Sequence, residues 1–143
     1  MQEQWKANQE YGLIASSVDH CGTPEQIRLN DSGLRELPVM AVFICVFLPR
    51  STIDRLGMMD ERFGVNAGGP GVRGYGCCDA AFSWKVRSAG LKLGVSDDCY
   101  VDHTTLTSTF RHRDPEPGAP KQYDVRIHER LFQKIHGRHP YAR

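Results

Sequence analysis

The sequence predicts an α/β fold, because strand-like and helix-like segments follow one another along a single chain. Residues 11–18 and 39–48 are apolar runs of strand length, and the second run is continuous rather than alternating. A continuous run is typical of a strand that is covered on both faces. Residues 79–89 and 123–136 carry apolar side chains at helical spacing. The order strand, strand, helix, loop, helix, strand, helix therefore indicates a sheet flanked by helices.

Length and composition predict one globular domain over residues 1–143. The chain is 40% hydrophobic and 24% charged, with a formal net charge of +1, so it has no strong field for nucleic acid. The longest apolar run, Val39 to Leu48, is about half of the ~20 residues that a membrane-spanning helix needs. The polar N-terminus does not resemble a secretory signal. We therefore expect no membrane span and no nucleic-acid partner.

The cysteines do not form the pattern of a secreted disulfide framework. Their number, 5, is odd, Cys77 and Cys78 are adjacent, and Cys45 lies inside an apolar run. Disulfides are rare in reducing compartments, where unpaired thiols persist. The sequence therefore favours a cytoplasmic location.

The first half of the chain is interpreted as two strands and a short helix. The strand 11–18 ends at the turn residues that begin with Asp19, and residues 24–37 are predicted as loop with a short edge strand. The run Val39–Leu48 is predicted to be a central strand. Ser51 with Asp54 is a near-match to a capping box. The helix that follows is expected to bury Ile53 and Leu56 and to end at Gly57.

The second half begins with a glycine-rich loop, residues 64–76, and continues as helix, strand and helix. The helix Asp79–Ala89 is expected to bury Phe82 and Val86 and to end at Gly90. Leu91–Val95 and Tyr100–His103 are predicted as two short strands, and residues 111–122 as a linker rich in charge and proline. A second amphipathic helix, 123–137, places four apolar side chains at i, i+4 spacing: Tyr123, Ile127, Leu131 and Ile135.

Three segments, in this order, resemble the C-terminal half of a GT-A glycosyltransferase, most closely the large family 2 group. The segment 47–63, with Gly57-Met58-Met59-Asp60-Glu61-Arg62-Phe63, is similar to the family's strand, short helix and G-x-x-D-E-x-F turn. The segment 74–90 is similar to its helix that begins at a catalytic Asp and ends in Ala-Gly. Val101-Asp102-His103 looks like its strand end in His. Gly74-Tyr75-Gly76-Cys77-Cys78-Asp79 also resembles the Trp-Gly-Gly-Glu-Asp loop of galactosyltransferase-like relatives.

The resemblance covers residues 11–110 and implies a partial GT-A, Rossmann-like sheet that lacks the N-terminal nucleotide-binding strands. The implied reaction is inverting transfer of a sugar from a nucleotide-sugar to a hydroxyl acceptor, by a truncated or minimal enzyme. Asp79 would be the base, and His103 would contact a divalent metal (Mn²⁺ or Mg²⁺) or the donor diphosphate. Arg73, Gly74, Tyr75 and Gly76 would bind the acceptor.

The chain departs from the family at two points. Cys78 stands where the family usually has an acidic residue before the catalytic Asp, and the Asp-x-Asp motif of the N-terminal half is not found. A non-catalytic carbohydrate-binding or partner module derived from such an enzyme is therefore the alternative. Loss of half of a sheet would expose a strand edge and apolar surface, so we expect a homo-oligomer or a partner chain.

Each of these residues also has a simpler interpretation. Asp79 suits the N-terminus of its helix on electrostatic grounds alone, His103 could be a structural side chain at a strand end, and the glycine-rich loop could be only a connector. Cys77 and Cys78, with Cys99 and His103, would make a zinc or thiol site, although their spacing matches no standard structural zinc pattern.

Overall fold

The centre of the fold is a parallel pair of long strands, β1 (Tyr11–Val18) and β5 (Lys92–Val101). The computed structural model describes residues 1–63, 73–74, 77–103 and 123–142. Two short strands, β2 (Leu34–Glu36) and β3 (Val46–Phe47), pair antiparallel with β5 and β1 respectively. The result is a four-stranded mixed sheet in the order β2-β5-β1-β3. The predicted α/β class is confirmed at this level, and the edge strand expected within residues 24–37 is β2.

Strand β5 is one strand where the sequence predicted two short ones. It spans 10 residues, and its register against β1 shifts between Ser16 and Ser17, whose partners are Ser96 and Tyr100. The residues in between bulge out of the ladder, and Ser17 Oγ donates to the Cys99 carbonyl at 3.5 Å. The polar stretch that looked like a break is therefore a β-bulge inside a continuous strand.

The prediction of a central strand over Val39–Leu48 is wrong. Only Val46 and Phe47 join the sheet, at its edge, and the preceding residues form a covering segment. Ala41 N–H donates to Ser83 Oγ at 3.1 Å, and Val42 N–H donates to Gln26 Oε1 at 2.7 Å. Side-chain acceptors thus take the place of the strand-to-strand hydrogen bonds. The segment is apolar because it packs on the helix Cys78–Ser88 rather than inside the sheet.

In the described residues, four α-helices accompany the sheet: α1 (Gln2–Ala7), α2 (Arg50–Leu56), α3 (Cys78–Ser88) and α4 (Val125–His136). Gly57 and Gly90 follow α2 and α3 with φ of 75° and 78°, as expected for glycine stops. The predicted Ser51 cap of α2 is wrong. That helix begins one residue earlier without a side-chain cap, and Asp54 pairs with Arg50 at 2.7 Å instead. Thr52 is its buried residue, while Ile53 and Leu56 are half-buried.

Helix α4 buries a different face from the one predicted. His128 and Phe132 are buried, whereas Ile127, Leu131 and Ile135 are half-buried. The reason is aromatic packing, because the Phe63 ring meets the rings of His128 and Phe132 at centroid distances of 5.7 and 6.0 Å. Tyr123 precedes the helix, in the two-residue strand β6 (Tyr123–Asp124), which pairs in parallel with β4 (Arg73–Gly74).

Two clusters of buried side chains hold the helices to the sheet. The first lies between α3 and the central strands, where Phe82 and Val86 pack on residues of β1 and β5 such as Leu13 and Val95. The second lies between α3 and α4, where Phe132 packs on Ala80, Ala81 and Phe63. Helix α3 takes part in both clusters, so its position relative to the sheet is fixed from two sides.

A buried ion pair joins the edge strand β2 to β5. Arg35 Nε and Nη2 donate to Asp97 Oδ2 and Oδ1 at 2.6 and 3.0 Å, and the Asp97 side chain is fully buried. Hydrogen bonds from Arg35 lower the pKa of Asp97. The guanidinium also donates to the carbonyls of Glu25 and Ile27 at 3.0 and 2.9 Å. One side chain therefore fastens both the strand and the loop before it.

In the part of the chain that the structure describes, no helix is long and apolar enough to cross a membrane. The predicted linker 111–122 lies outside the described residues.

Arg35→Ala should destabilise the fold by about 3–5 kcal/mol, because it leaves the buried Asp97 carboxylate unpaired. Urea denaturation near pH 7 measures the loss. The matched control is Lys92→Ala, which removes an exposed pair between the same two strands, Lys92 with Glu36 at 3.2 Å. It should cost less than about 1 kcal/mol.

The pH dependence gives a second check on the same pair. Because the folded pKa of Asp97 is lowered, its stabilisation is present above the unfolded pKa and is lost as pH falls through the folded value. The difference between wild type and Arg35→Ala should therefore shrink in acid. Equal losses for Arg35→Ala and Lys92→Ala would contradict the role assigned to the buried pair.

Candidate functional site

The candidate site lies towards the carboxyl ends of β1 and β5. These strands run in parallel, and α3 leads directly into β5 through Gly90, so the N-terminus of α3 lies towards the carboxyl ends of both strands. Ligand sites of open α/β sheets lie at this edge. Asp79 comes from the start of α3, His103 from the end of β5, and Asp19 from the end of β1. The topology thus brings two of the predicted site residues to one half of the molecule.

Asp79 is the second residue of α3, and it follows a strained turn. Cys77, which precedes the helix, has φ of 63° and is the one non-glycine residue in the described part of the chain with a positive φ. A side chain that adopts this backbone conformation is uncommon and is often found next to functional groups. The turn is held by packing, because Cys77 is buried with Ala80, Ala81 and Phe132.

The Asp79 carboxylate is half-buried and accepts main-chain hydrogen bonds. Its Oδ1 lies 2.9 Å from the Ala80 nitrogen. Burial raises the pKa of this carboxyl, while the amides of Ala80, Asp79 itself and Phe43 act in the opposite direction. A carboxylate with a raised pKa is a stronger base than an exposed one. Asp79 is therefore a hydrogen-bonded carboxylate at the start of a helix, and it is a stronger base than an exposed aspartate.

His103 is held by the turn that follows β1. Its main-chain N–H donates to Asp19 Oδ1 at 2.6 Å, and its ring Nδ1 lies 2.9 Å from the His20 carbonyl oxygen. A carbonyl oxygen only accepts, so Nδ1 carries the hydrogen. In the neutral ring Nε2 then has a lone pair. That atom suits a metal ion or a hydroxyl donor better than a phosphate oxygen.

The divalent metal predicted for His103 stays a prediction. Among residues 1–63, 73–74, 77–103 and 123–142, no group of three or more His, Cys, Asp or Glu side chains is arranged to hold an ion. The acidic pair on β5 is committed elsewhere, since Asp97 binds Arg35 and Asp98 accepts from Gly33 and Gln4. His103 alone does not make a metal site.

The remaining predicted site residues are only partly described. Arg73 and Gly74 form β4, while Tyr75 and Gly76 lie outside the described residues. Among the described residues, no hydrogen bond joins Asp79 to His103. The acceptor role of residues 73–76 therefore stays a prediction.

The structure also shows a cavity at this edge that the sequence did not indicate. It has a volume of about 480 Å³ and is lined by the end of β1, the loop after it and the end of β5. Asp19 borders it and also accepts the His103 N–H. The signal that could have located it is the placement of Asp19 and His20 directly after a predicted strand. We call it the edge cavity, and its main lining residues are Asp19, Arg28, Leu29, Asn30, Asp31 and Tyr100.

A second cavity, of about 270 Å³, lies between α3, α4 and the 60–63 turn. Three of its charged groups are engaged, since Arg62 pairs with Asp60 at 2.6 Å and Lys85 Nζ donates to the Met58 carbonyl at 2.9 Å. His136 also lines it, and the buried Nε2 of that ring has no hydrogen-bond partner among the described residues. Phe82 and Trp84 form much of its wall. It resembles a gap between packed helices more than a polar ligand site.

Cys77 and Cys78 are poorly suited to thiol or zinc chemistry. All five cysteines of the chain are free. Burial raises the pKa of Cys77 to about 11, and burial with the nearby Asp79 charge also raises the pKa of Cys78. The nucleophile and the metal ligand are the thiolate, so a raised pKa works against both roles.

Comparison of the chain with protein-family models, curated proteins and solved structures finds no match.

Asp79→Asn should stabilise the protein at pH 7. The raised pKa means that the folded state disfavours the charged carboxylate. The favourable contribution of Asp79 is therefore complete below its unfolded pKa and is lost as pH rises through the folded pKa. Asn keeps the shape without the charge. The gain in unfolding free energy, measured by urea denaturation, should be largest near pH 7 and should shrink towards about pH 3.

Asp54→Asn is the control, because Asp54 is exposed on α2. It should give no such gain at either pH. A loss of stability at pH 7 for Asp79→Asn would show that the charged carboxylate stabilises the start of the helix. It would contradict the prediction that this charge is unfavourable in the folded state.

Proposed function

We propose that this chain is a glycosyltransferase-like module of GT-A type, which transfers a sugar from a nucleotide-sugar to a hydroxyl acceptor with inversion. The observation that carries the proposal is the desolvated Asp79 carboxylate at the start of α3, towards the carboxyl ends of the parallel strands. The order of the three resembling segments supports the same reaction. Asp79 is the catalytic base in this proposal.

The proposed step moves one proton and one glycosyl group. The Asp79 carboxylate takes the proton of the acceptor hydroxyl as that oxygen bonds to the anomeric carbon of the donor. The bond from that carbon to the diphosphate oxygen breaks, and the nucleoside diphosphate leaves with the electron pair. A positioned base of this kind contributes about 10²- to 10⁴-fold in rate. The raised pKa brings the basicity of the carboxylate closer to neutral pH.

His103 supports the acceptor side of this proposal. Its Nδ1–H is bound to the His20 carbonyl, so the neutral ring offers Nε2 as an acceptor for a substrate hydroxyl. No step of the proposed reaction passes through a metal, because the described residues give His103 no group of partner ligands. Donor and any Mn²⁺ or Mg²⁺ would then be held by a second copy or a partner chain. The free thiols support a reducing, cytoplasmic compartment.

The second candidate is a non-catalytic carbohydrate-binding module. The edge cavity favours it, because its polar walls and its exposed tyrosine can bind a sugar without any donor. The two candidates differ in the role of Asp79, which is the catalytic base in the first and has no catalytic role in the second.

Asp79→Asn should lower sugar transfer by about 10²- to 10⁴-fold while leaving the protein folded. The measurement is turnover of a panel of UDP- and GDP-sugars, with Mn²⁺ present, on hydroxyl acceptors. Asp54→Asn, a neutralised carboxylate away from the site, should transfer at the wild-type rate.

Two results would contradict the proposal. Unchanged transfer by Asp79→Asn would remove Asp79 as the base. Absence of binding by every donor, measured by calorimetry on the wild-type chain, would exclude an enzyme that acts alone and would leave the binding module.

A further inference from the structure

His136 holds the last turn of α4 against α3 through two aromatic rings. The centre of its imidazole lies 4.4 Å from the centre of the Phe132 ring and 6.1 Å from that of the Trp84 ring on α3. Phe132 is itself buried against Ala80 and Ala81. The imidazole of His136 is therefore part of the packing that joins the two helices.

One nitrogen of this ring is buried without a hydrogen bond to any described residue. His136 as a whole is half-buried, but its Nε2 is covered and unpaired. A neutral imidazole has one N–H and one lone pair, whereas an imidazolium has two N–H donors and a positive charge. Protonation would therefore leave a charged ring with a buried N–H that no described group accepts, which is unfavourable.

The Arg62 guanidinium makes protonation of His136 more costly. Asp60 and Arg62 line the second cavity together with His136. Asp60 would attract an imidazolium, but its carboxylate already accepts three hydrogen bonds from the Arg62 side chain, at 2.9, 3.1 and 2.6 Å. Burial lowers the pKa of His136, and the charge of Arg62 lowers it further, by more than the charge of Asp60 raises it.

Two other charged groups near this ring are cations. Lys85 lines the same cavity, and its Nζ donates to the Met58 carbonyl at 2.9 Å. The Arg138 guanidinium lies 4.5 Å from the centre of the Trp84 ring. Neither group can accept a hydrogen bond from an imidazolium.

We infer that the docking of α4 on α3 is a pH-sensitive contact, which is stable while His136 is neutral and is weakened when acid protonates that ring. The inference goes beyond the proposed function and does not depend on it. Phe132 also packs in one cluster with Cys77. Weaker docking of α4 would therefore loosen the strained turn that precedes Asp79.

The direction of the pH effect follows from the lowered pKa of His136. Above the unfolded histidine pKa of about 6.5 the ring is neutral in both states, so docking is unaffected. As pH falls below that value, the undocked state binds a proton that the docked state resists. The free energy of docking is therefore lost between the unfolded pKa and the folded one.

The test is amide hydrogen exchange of the full chain by NMR, at about pH 7.5 and about pH 5, on either side of the unfolded histidine pKa. Protection factors, which are corrected for the intrinsic exchange rate, should fall in acid for the amides of α4. The expected fall is up to about tenfold for each unit by which the folded pKa of His136 lies below the unfolded one. Amides of β1 should lose less protection.

Two variants isolate the contribution of His136. His136→Phe keeps a ring that cannot be protonated, and His136→Asn keeps a neutral polar group. In both, α4 should lose less protection in acid than it does in wild type. His139→Asn changes an exposed histidine after α4. It is the matched control and should keep the full acid loss. His128, which is buried on the same helix, is present in every variant, so its own titration cancels in the comparison.

The titration of the His136 ring in wild type, followed by NMR, is a second measurement that needs no variant to fold. Its pKa should lie below about 6.5. A pKa at or above that value would overturn the inference, because the aromatic rings and Asp60 would then stabilise the imidazolium. It would also be overturned if α4 lost no protection in acid, or if wild type and both His136 variants lost the same amount.

Discussion

The pair between Arg35 and Asp97 is the interaction on which the edge strand β2 and the loop before it depend. A fully buried carboxylate is stable only with a well-placed partner, and Arg35 meets it with two hydrogen bonds. The same guanidinium binds carbonyls of the loop before β2. The position of an edge strand and the shape of a surface cavity are therefore set by one side chain, so a change in the core reaches the candidate binding surface directly.

The start of α3 differs from this stabilising pair, because two energetically unfavourable features lie next to each other there. Cys77 has a left-handed backbone, and Asp79 is a carboxylate that has lost much of its water. Neither feature is needed for a helix to begin, since α2 begins with neither. Local strain and desolvated charge persist where the surrounding packing is strong enough to hold them. Here that packing is supplied by the contact of Phe132 with Ala80 and Ala81.

The sequence predicted the elements whose signals are local. The strand 11–18, the helix that buries Phe82 and Val86, and the glycine stops at Gly57 and Gly90 follow from periodicity and backbone conformation. The strand over Val39–Leu48 failed because a continuous apolar run does not distinguish a covered strand from a segment that itself covers a helix. The missing information was tertiary, namely that Ser83 and Gln26 take over the hydrogen bonds of that segment.

The residues of the candidate site also fall into those that the sequence could predict and those that it could not. Asp79 and His103 could be selected from the chain, because each stands at the end of a predicted element. Asp19 and Tyr100 could not be paired, since the parallel register of β1 and β5 and the bulge in β5 bring them together. The raised pKa of Asp79 also depends on burial by segments far away in the sequence. Motifs thus suggested which residues matter, and only packing shows what surrounds them.

The two sheet edges have a consequence for how this protein meets other chains. Both edge strands, β2 and β3, are short, with 3 and 2 residues, so each offers few main-chain groups to an incoming strand. In the described residues, the edge strands offer few main-chain donors and acceptors to a dimer or a fibril that would extend the sheet. A partner of this chain would have to recognise side chains, and such contacts respond to point mutation and to salt far more than a shared ladder does.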